Sequence, residues 1–472
     1  MLGRLIAQIT YKEDLMSDPN PEVVEQLRQL LGDQAVRTQP DDFMPDIVLK
    51  PESTEQVSTI LKICSAAGQA LVPLGGKTGL ANGHFQTDSE LGLSLERMHA
   101  IEEVDTANRT MTVQAGCILQ TAAEAAEEQG LLLPLDFGAR GSATVGGCVA
   151  TNAGGNMVIR YGMARDMVLG LEVVLADGTI VTSMNKMLKN NTGYDLKQWF
   201  IGAEGTLGVI TRVVMRLRPH PRSQNTALLA VDDFDSVGKL LHWLDGNTAG
   251  TLSAFEVMWP DFYEFITRQG SIHRAPLPHG SAFYVLVETL GSNPEADAES
   301  FETVLGEAME QGLVSDAVLT RSQSERNALW EIRDDVLEFF KLGPIIPFDV
   351  SLTIEKMESF VSDIREGMDR LDASICVVFG HLGDSNLHLI LGNENPDAFD
   401  YGALETLLYE SVERYQGSVS AEHGVGLSKR AHLPRSRSEA ELQLMVGMKK
   451  MLDPNNILNP NKIFSADKIA AT

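Results

Sequence analysis

Cysteine is scarce and scattered: Cys64, Cys117, Cys148 and Cys376 lie far apart and form no CxxC pair. That argues against a disulfide framework, a cysteine-based zinc site or an intrinsic iron–sulfur cluster, and it suits a reduced, cytoplasmic compartment. Long apolar runs are missing as well. No stretch could span a bilayer, and the N-terminal MLGRLIAQITYKEDL has too short an apolar run for a signal peptide. Met16 offers a second start. Positive charge is outnumbered: 38 Lys and Arg face 65 Asp and Glu, a formal net charge of −27. Such a chain repels nucleic acid and anionic membrane surfaces. An anionic substrate would therefore need a local pocket of specific Arg, Lys, His or metal. Internal repeats, low-complexity tracts, a Rossmann fingerprint and a Walker P-loop are absent too.

What is present is an ordinary globular balance, 43% hydrophobic and 22% charged residues, over 472 positions, enough for two or three domains. PEVVEQLRQLL from Pro21 to Leu31 has the period of an amphipathic helix. A Ser53 or Thr54 cap opens a second helix, which runs to Gly68. LGLSLERM, TMTVQAG and LEVVLADGTIV read as strands, the last with a DG hairpin turn. The character changes near Pro219-His220-Pro221. Beyond it, strand–helix alternations such as TALLAVDDFDSVGKLLHWL predict an α+β domain with helices on one face of an antiparallel sheet.

Three segments concentrate glycine. The first is Pro73-Leu-Gly75-Gly76-Lys77-Thr78-Gly79-Leu80, running on to Gly83. The second carries Gly141, Ser142, Thr144, Gly146 and Gly147, then Asn152, Gly154 and Gly155. The third contains Glu204, Gly205, Gly208 and Ile210. Without a Cβ, successive backbone N–H groups can close on an anion such as a pyrophosphate. Each segment alone also reads as a tight turn; the three together are harder to explain that way.

A second constellation is Gly380-His381-Leu-Gly-Asp384-Ser385-Asn386-Leu-His388, followed by Ser420-Ala-Glu422-His423-Gly-Val-Gly426. Three of only ten histidines fall in these two motifs. A strand entering at VVFG, a GDSN turn and a strand leaving at LHLIL would bring His381 and His388 onto one face. Two imidazoles and a carboxylate suit zinc, and also manganese or iron. Equally, separated histidines and a Glu read as ordinary polar residues.

PLGGKTGLANG, GGCVATNAGG, YGMARDMVLGLEVVLADG and GAEGTLGVIT resemble the vanillyl-alcohol-oxidase type FAD-binding domain. HLGDSNLH and SAEHGVG resemble the signatures of its FAD-linked D-2-hydroxy-acid dehydrogenase branch, which includes D-2-hydroxyglutarate dehydrogenase, D-lactate dehydrogenase and the glycolate oxidase FAD subunit. The resemblance extends from about Asp46 to Phe464. It implies an α+β fold: an N-terminal helical segment to residue 41, a two-subdomain FAD domain over 42–220, a substrate and metal domain over 221–443, and a C-terminal helical tail over 444–472 returning to the FAD domain. It also implies non-covalent FAD held by the three loops and Asn459, and a divalent metal, zinc first, on His381, His388 and Glu422. His423 would be the general base and Arg333 the substrate-carboxylate clamp; as a helix-surface residue, Arg333 could instead pair with Glu331 or Asp334. The implied reaction takes a D-2-hydroxy acid to its 2-oxo acid by hydride transfer to the flavin. Electrons would pass to a quinone or an electron-transfer flavoprotein, and a homodimer is the family habit. An oxygen-using oxidase, a non-catalytic FAD-binding subunit and a flavin-free metallohydrolase are the alternatives. Pro347, Leu337 and Ile390 stand where hydroxyglutarate-specific members tend to carry polar groups. They tilt the expected substrate toward D-lactate or a longer-chain acid.

Overall fold

The computed structural model describes residues 19–37, 47–87 and 89–471. The N-terminal run read above and Met16 lie outside them. The described residues divide into two compact units: those up to 153 with 163–220 and 423–471, and 154–162 with 221–422. The break at His220/Pro221 coincides with the change in sequence character. The returning segment starts at His423, upstream of the expected 444, because the backbone N–H groups of Val425 and Gly426 donate to Glu204 at 2.7 and 2.8 Å.

In the first unit, strands β1 (Val36–Arg37), β2 (Val48–Leu49), β3 (Leu71–Leu74) and β4 (Leu91–Ser94) form a sheet in the order β1-β2-β4-β3, with β2, β4 and β3 parallel. The helix Thr54–Ala67 precedes β3. Ser53 caps it by accepting from Gln56 N–H, and Gly68 ends it in the left-handed conformation. A second, antiparallel sheet has the order β5-β6-β10-β8-β9, with β5 (Ile101–Asp105), β6 (Thr110–Gln114), β8 (Val168–Val174), β9 (Ile180–Ser183) and β10 (Val209–Arg216). A third pair joins β7 (Leu131–Leu132) to β11 (Arg218–Pro219). The C-terminal tail docks through a bridge of Leu458 to Leu71. A buried Lys449 fastens it, donating to Asp453 and to the carbonyls of Thr206 and Leu458.

The second unit is built on one seven-stranded antiparallel sheet in the order β15-β12-β14-β13-β17-β18-β16. These are β12 (Ser223–Val231), β13 (Leu252–Met258), β14 (Phe283–Gly291), β15 (Asp316–Leu319), β16 (Ile345–Ser351), β17 (Ile375–His381) and β18 (Asn386–Gly392). One face (Leu229, Phe255, Val285, Val350, Leu389) packs against the long helices Phe234–Asn247, Pro294–Glu310, Ile354–Arg370 and Tyr401–Arg414. The expectation of helices on one face covers these four but misses the shorter helices Pro260–Ile266 and Gln323–Asp334 on the other. That second face needs its cover because two of its strands carry buried glutamates, Glu256 and Glu288, which must be paired. Among the described residues no helix is long and apolar enough to cross a membrane.

Candidate active site

The three glycine segments converge within the first unit. Gly76 lies so close to the second segment that a Cβ on it would sit 2.0 Å from the Ser142 carbonyl oxygen. Only glycine permits that backbone-on-backbone approach. Thr144 caps the helix Val145–Thr151, and the third segment hangs on this helix through Gly202 N–H to Val149 O and Glu204 N–H to Ala150 O. Asn459 ties the far ends together, its Nδ2 donating to the carbonyls of Gly83 (3.2 Å) and Glu204 (2.7 Å). Its Oδ1 is buried and has no hydrogen-bond partner among the described residues. Backbone-lined loops around an unsatisfied acceptor suit a dinucleotide such as FAD.

Individual residues differ from a simple lining. Glu204, in the left-handed region at φ 52°, turns its buried carboxylate to Val425 and Gly426, and burial raises its pKa despite those donors. It is an anchor for the stretch just after His423. Ile210 lies inside β10 opposite Val173, and Gly208 is demanded by Val173 and Phe200. Asn152 ends the helix Val145–Thr151 and accepts from Arg165 N–H at 2.9 Å. Gly154 and Gly155 group with the second unit, apart from the other glycines.

In the second unit the sheet face under the two shorter helices changes from apolar to polar along its strands. Alternation puts Met258 and Glu256 on one face of β13, Phe379 and His381 on β17, Ile390 and His388 on β18, with Asp349 opposite His388. Register does the rest: Glu256 faces His381 and Phe379 faces His388. The expected common face for the two histidines is what forms, their rings 5.3 Å apart. Glu422 joins them because Asp349, fully buried, accepts from the N–H groups of Ala421 (2.8 Å) and Glu422 (2.9 Å). One ligand atom from each of His381, His388 and Glu422 lies within 4.8 Å of the others. This donor set fits a divalent cation, and nearby Asp384 adds a buried Oδ1 without a partner. Burial pushes Asp384 up to about 7; His381 opposes that rise, while the Glu256 and Glu422 carboxylates add to it.

Arg333 is buried near the end of the helix Gln323–Asp334, which also buries Leu329 and Ile332. Its Nε donates to Glu256 at 2.8 Å, so its ion-pair partner is a strand residue rather than the surface neighbours Glu331 or Asp334. Its guanidinium also covers the Phe379 ring, which in turn stacks on the His388 ring at 4.9 Å. Burial opposes charge on both His381 and Glu256. Their mutual attraction wins: the imidazole is shifted up and the carboxyl down, the latter helped by Arg333. Glu256 went unnoticed in the sequence. The available signal was a lone acid inside LSAFEVM, an otherwise apolar strand.

Leu337 and Pro347 are exposed, and Ile390 is buried among apolar side chains. His423 opens the segment that groups with the first unit.

A family model described as the FAD binding domain matches residues 45–183, and one described as the C-terminal domain of FAD linked oxidases matches residues 220–463. The chain is 36% identical over 460 residues to the D-2-hydroxyglutarate dehydrogenase of Stutzerimonas stutzeri (strain A1501), covering 93% of this chain and 98% of that one. It is 40% identical over 412 residues to the mitochondrial D-2-hydroxyglutarate dehydrogenase of Bos taurus, covering 87% and 75%. Among solved structures, p-cresol methylhydroxylase with substrate bound superposes with a TM-score of 0.74 at 16% identity, over 94% of this chain and 97% of that one. Alkyldihydroxyacetonephosphate synthase does so with a TM-score of 0.72 at 16% identity, over 95% and 86%. At such identity the two structures speak to the fold alone.

Proposed function

The chain belongs to the FAD-linked D-2-hydroxy-acid dehydrogenase family, with its vanillyl-alcohol-oxidase type fold, and we propose that it oxidises D-2-hydroxyglutarate to the 2-oxo acid with a divalent metal. The observation that carries this reading is the cluster of buried Arg333, Glu256 and His381 with half-buried His388 and Glu422, the local set of cationic and ligating groups that so acidic a protein needs for an anionic substrate. The names of the relatives supply the substrate. The chemistry FAD supplies when bound is acceptance of the hydrogen and electron pair that leave C2. A divalent cation, zinc first, would be held by His381, His388 and Glu422 and would supply Lewis acidity at the hydroxyl oxygen. Arg333 grips the C1 carboxylate with parallel hydrogen bonds, fixing which face of C2 is presented. His423, as a neutral imidazole, takes the hydroxyl proton. The loop residues Gly75, Gly76, Gly146, Gly147 and Asn459 hold the dinucleotide.

A second reading, D-lactate or a longer D-2-hydroxy acid, is favoured by the apolar Pro347, Leu337 and Ile390. Electrons leave to a quinone or an electron-transfer flavoprotein; substrate-dependent oxygen uptake would point instead to an oxidase. The four cysteines are unpaired, which suits the cytoplasm.

The test is anaerobic reduction of the metal-loaded protein, followed near the roughly 450 nm flavin band. The panel holds D- and L-2-hydroxyglutarate, D- and L-lactate, glycolate and D-malate. Rapid bleaching by D-2-hydroxyglutarate, abolished by a chelator, is the expected result. Bleaching by D-lactate alone selects the second reading. Protein without flavin, or flavin that no D-acid reduces, overturns both.

A further inference from the structure

The metal ligand His381 and the clamp Arg333 come from different elements, a strand and a helix, yet they share one partner. Glu256 Oε1 lies 2.7 Å from His381 Nδ1 and Glu256 Oε2 lies 2.8 Å from Arg333 Nε. Arg333 Nη2 also stands 3.4 Å from His381 Nε2. A guanidinium can only donate, so Nε2 is the acceptor in that contact. The 2.7 Å contact to the Glu256 carboxylate likewise places the imidazole proton on Nδ1, so Nε2 is the nitrogen a cation would take, in place of the long Arg333 contact. Glu256 is only 1% exposed, so bulk solvent does not reach it to replace either contact.

We propose that Glu256 is a positioning residue that fixes the tautomer of His381 and the aim of Arg333 with one carboxylate, coupling metal affinity to substrate-carboxylate binding. This rests on the metal-assisted reading above. Glutamine cannot reproduce the arrangement, because its amide offers one acceptor oxygen and one donor nitrogen where two acceptors are needed. A donor facing Nδ1 drives the imidazole proton to Nε2, the ligating atom; a donor facing Arg333 leaves two N–H groups opposed.

The test measures zinc affinity of the FAD-loaded protein by competition with a chromophoric chelator, and KM and kcat for D-2-hydroxyglutarate at saturating zinc. Glu256→Gln is expected to weaken zinc about 10- to 100-fold, the range typical of lost partners behind a metal-bound histidine. It should also raise KM about tenfold or more with FAD content unchanged, the loss of one charge-assisted hydrogen bond. Arg333→Met should raise KM and leave zinc affinity within about threefold, since it keeps the imidazole–carboxylate bond. If glutamine prevents folding, Glu256→Asp keeps the charge but is one methylene too short to span both partners. It must then weaken zinc or raise KM by about fivefold or more. Unchanged zinc affinity in Glu256→Gln, or both quantities unchanged in Glu256→Asp, overturns the inference. Wild type that binds zinc no better than His388→Ala removes the metal reading and this inference with it; tight wild-type zinc with an indifferent Glu256→Gln removes this inference alone.

Discussion

The two units build their candidate sites from opposite materials. The first uses backbone: glycines allow loops to approach to distances no side chain tolerates, and a bridging amide, Asn459, holds them. The second uses buried charge: two acids on strands of one sheet hold the cluster, Glu256 through Arg333 and His381, and Asp349 through the backbone N–H of Glu422. A backbone site depends on conformation and tolerates an acidic protein, because N–H dipoles need no net charge. A side-chain site depends on exact pairing, because every buried charge left alone costs several kcal/mol. Damage to the first should therefore appear as lost cofactor, and damage to the second as lost chemistry or lost stability.

The sharpest separation comes from the metal ligands. Glu422→Ala should reduce turnover about 10³-fold or more, equivalent to about 4 kcal/mol of barrier. The purified protein should stay yellow with full flavin content; a colourless Glu422→Ala protein would break the division between the units. Gly76→Ala is the converse. Its methyl group meets the Ser142 carbonyl, and relieving the clash costs about 1–3 kcal/mol by moving one loop off the other. Flavin content should fall, while zinc affinity, read with a chelator, should match wild type.

The same contrast explains what was legible in the sequence. Glycine density is local, so the loops stand out before any folding is known. The motifs around His381 and Glu422 are compact for the same reason. Glu256 and Glu204 were not legible as anchors, because their partners lie far along the chain: Arg333 and His381 for one, Val425 and Gly426 for the other. Register, set by strand pairing across the sheet, makes Glu256 a neighbour of His381, and no local pattern encodes it. An acid in the middle of an apolar strand was the one clue, and besides LSAFEVM it occurs in VLGLEVV, in IIPFDVS and, on the strand paired with that of Glu256, in FYVLVETLG.

That last acid offers an internal control. Glu288 lies on the same face as Glu256 and is satisfied by Arg326 at 2.6 and 3.0 Å, Trp330 at 3.1 Å and Thr226 at 2.8 Å. Arg326 sits two turns before Arg333 on the same helix, so two similar ion pairs anchor one element. Only one of them touches the candidate ligands. Arg326→Met strands a carboxylate that is 2% exposed but still has two neutral donors, and should destabilise the protein by about 2–3 kcal/mol in denaturant unfolding. Zinc affinity of the folded protein should remain that of wild type. A large loss of zinc affinity would mean that the helix, rather than Glu256, sets the aim of the cluster.

The smallest expected effect concerns a charge placed imperfectly. Asp261, in the helix Pro260–Ile266, has an Oδ2 without a hydrogen-bond partner among the described residues, although Arg365 reaches Oδ1 at 3.2 Å. Burial pushes its carboxyl up to about 6, from an ordinary 3.8, against the pull of Arg365. A folded-state pKa above the unfolded one means the protonated acid favours folding. That contribution is complete below about pH 4 and is lost as pH rises toward about 6. Because the Asp261 side chain keeps 26% of its surface exposed, the discounted effect is about 1 kcal/mol. Asp261→Asn cannot ionise, so relative to wild type it should gain about that much stability between pH 4 and pH 7, read from unfolding midpoints at both pH values. A variant whose difference from wild type is the same at pH 4 and pH 7 would show that Arg365 fully compensates the buried carboxylate.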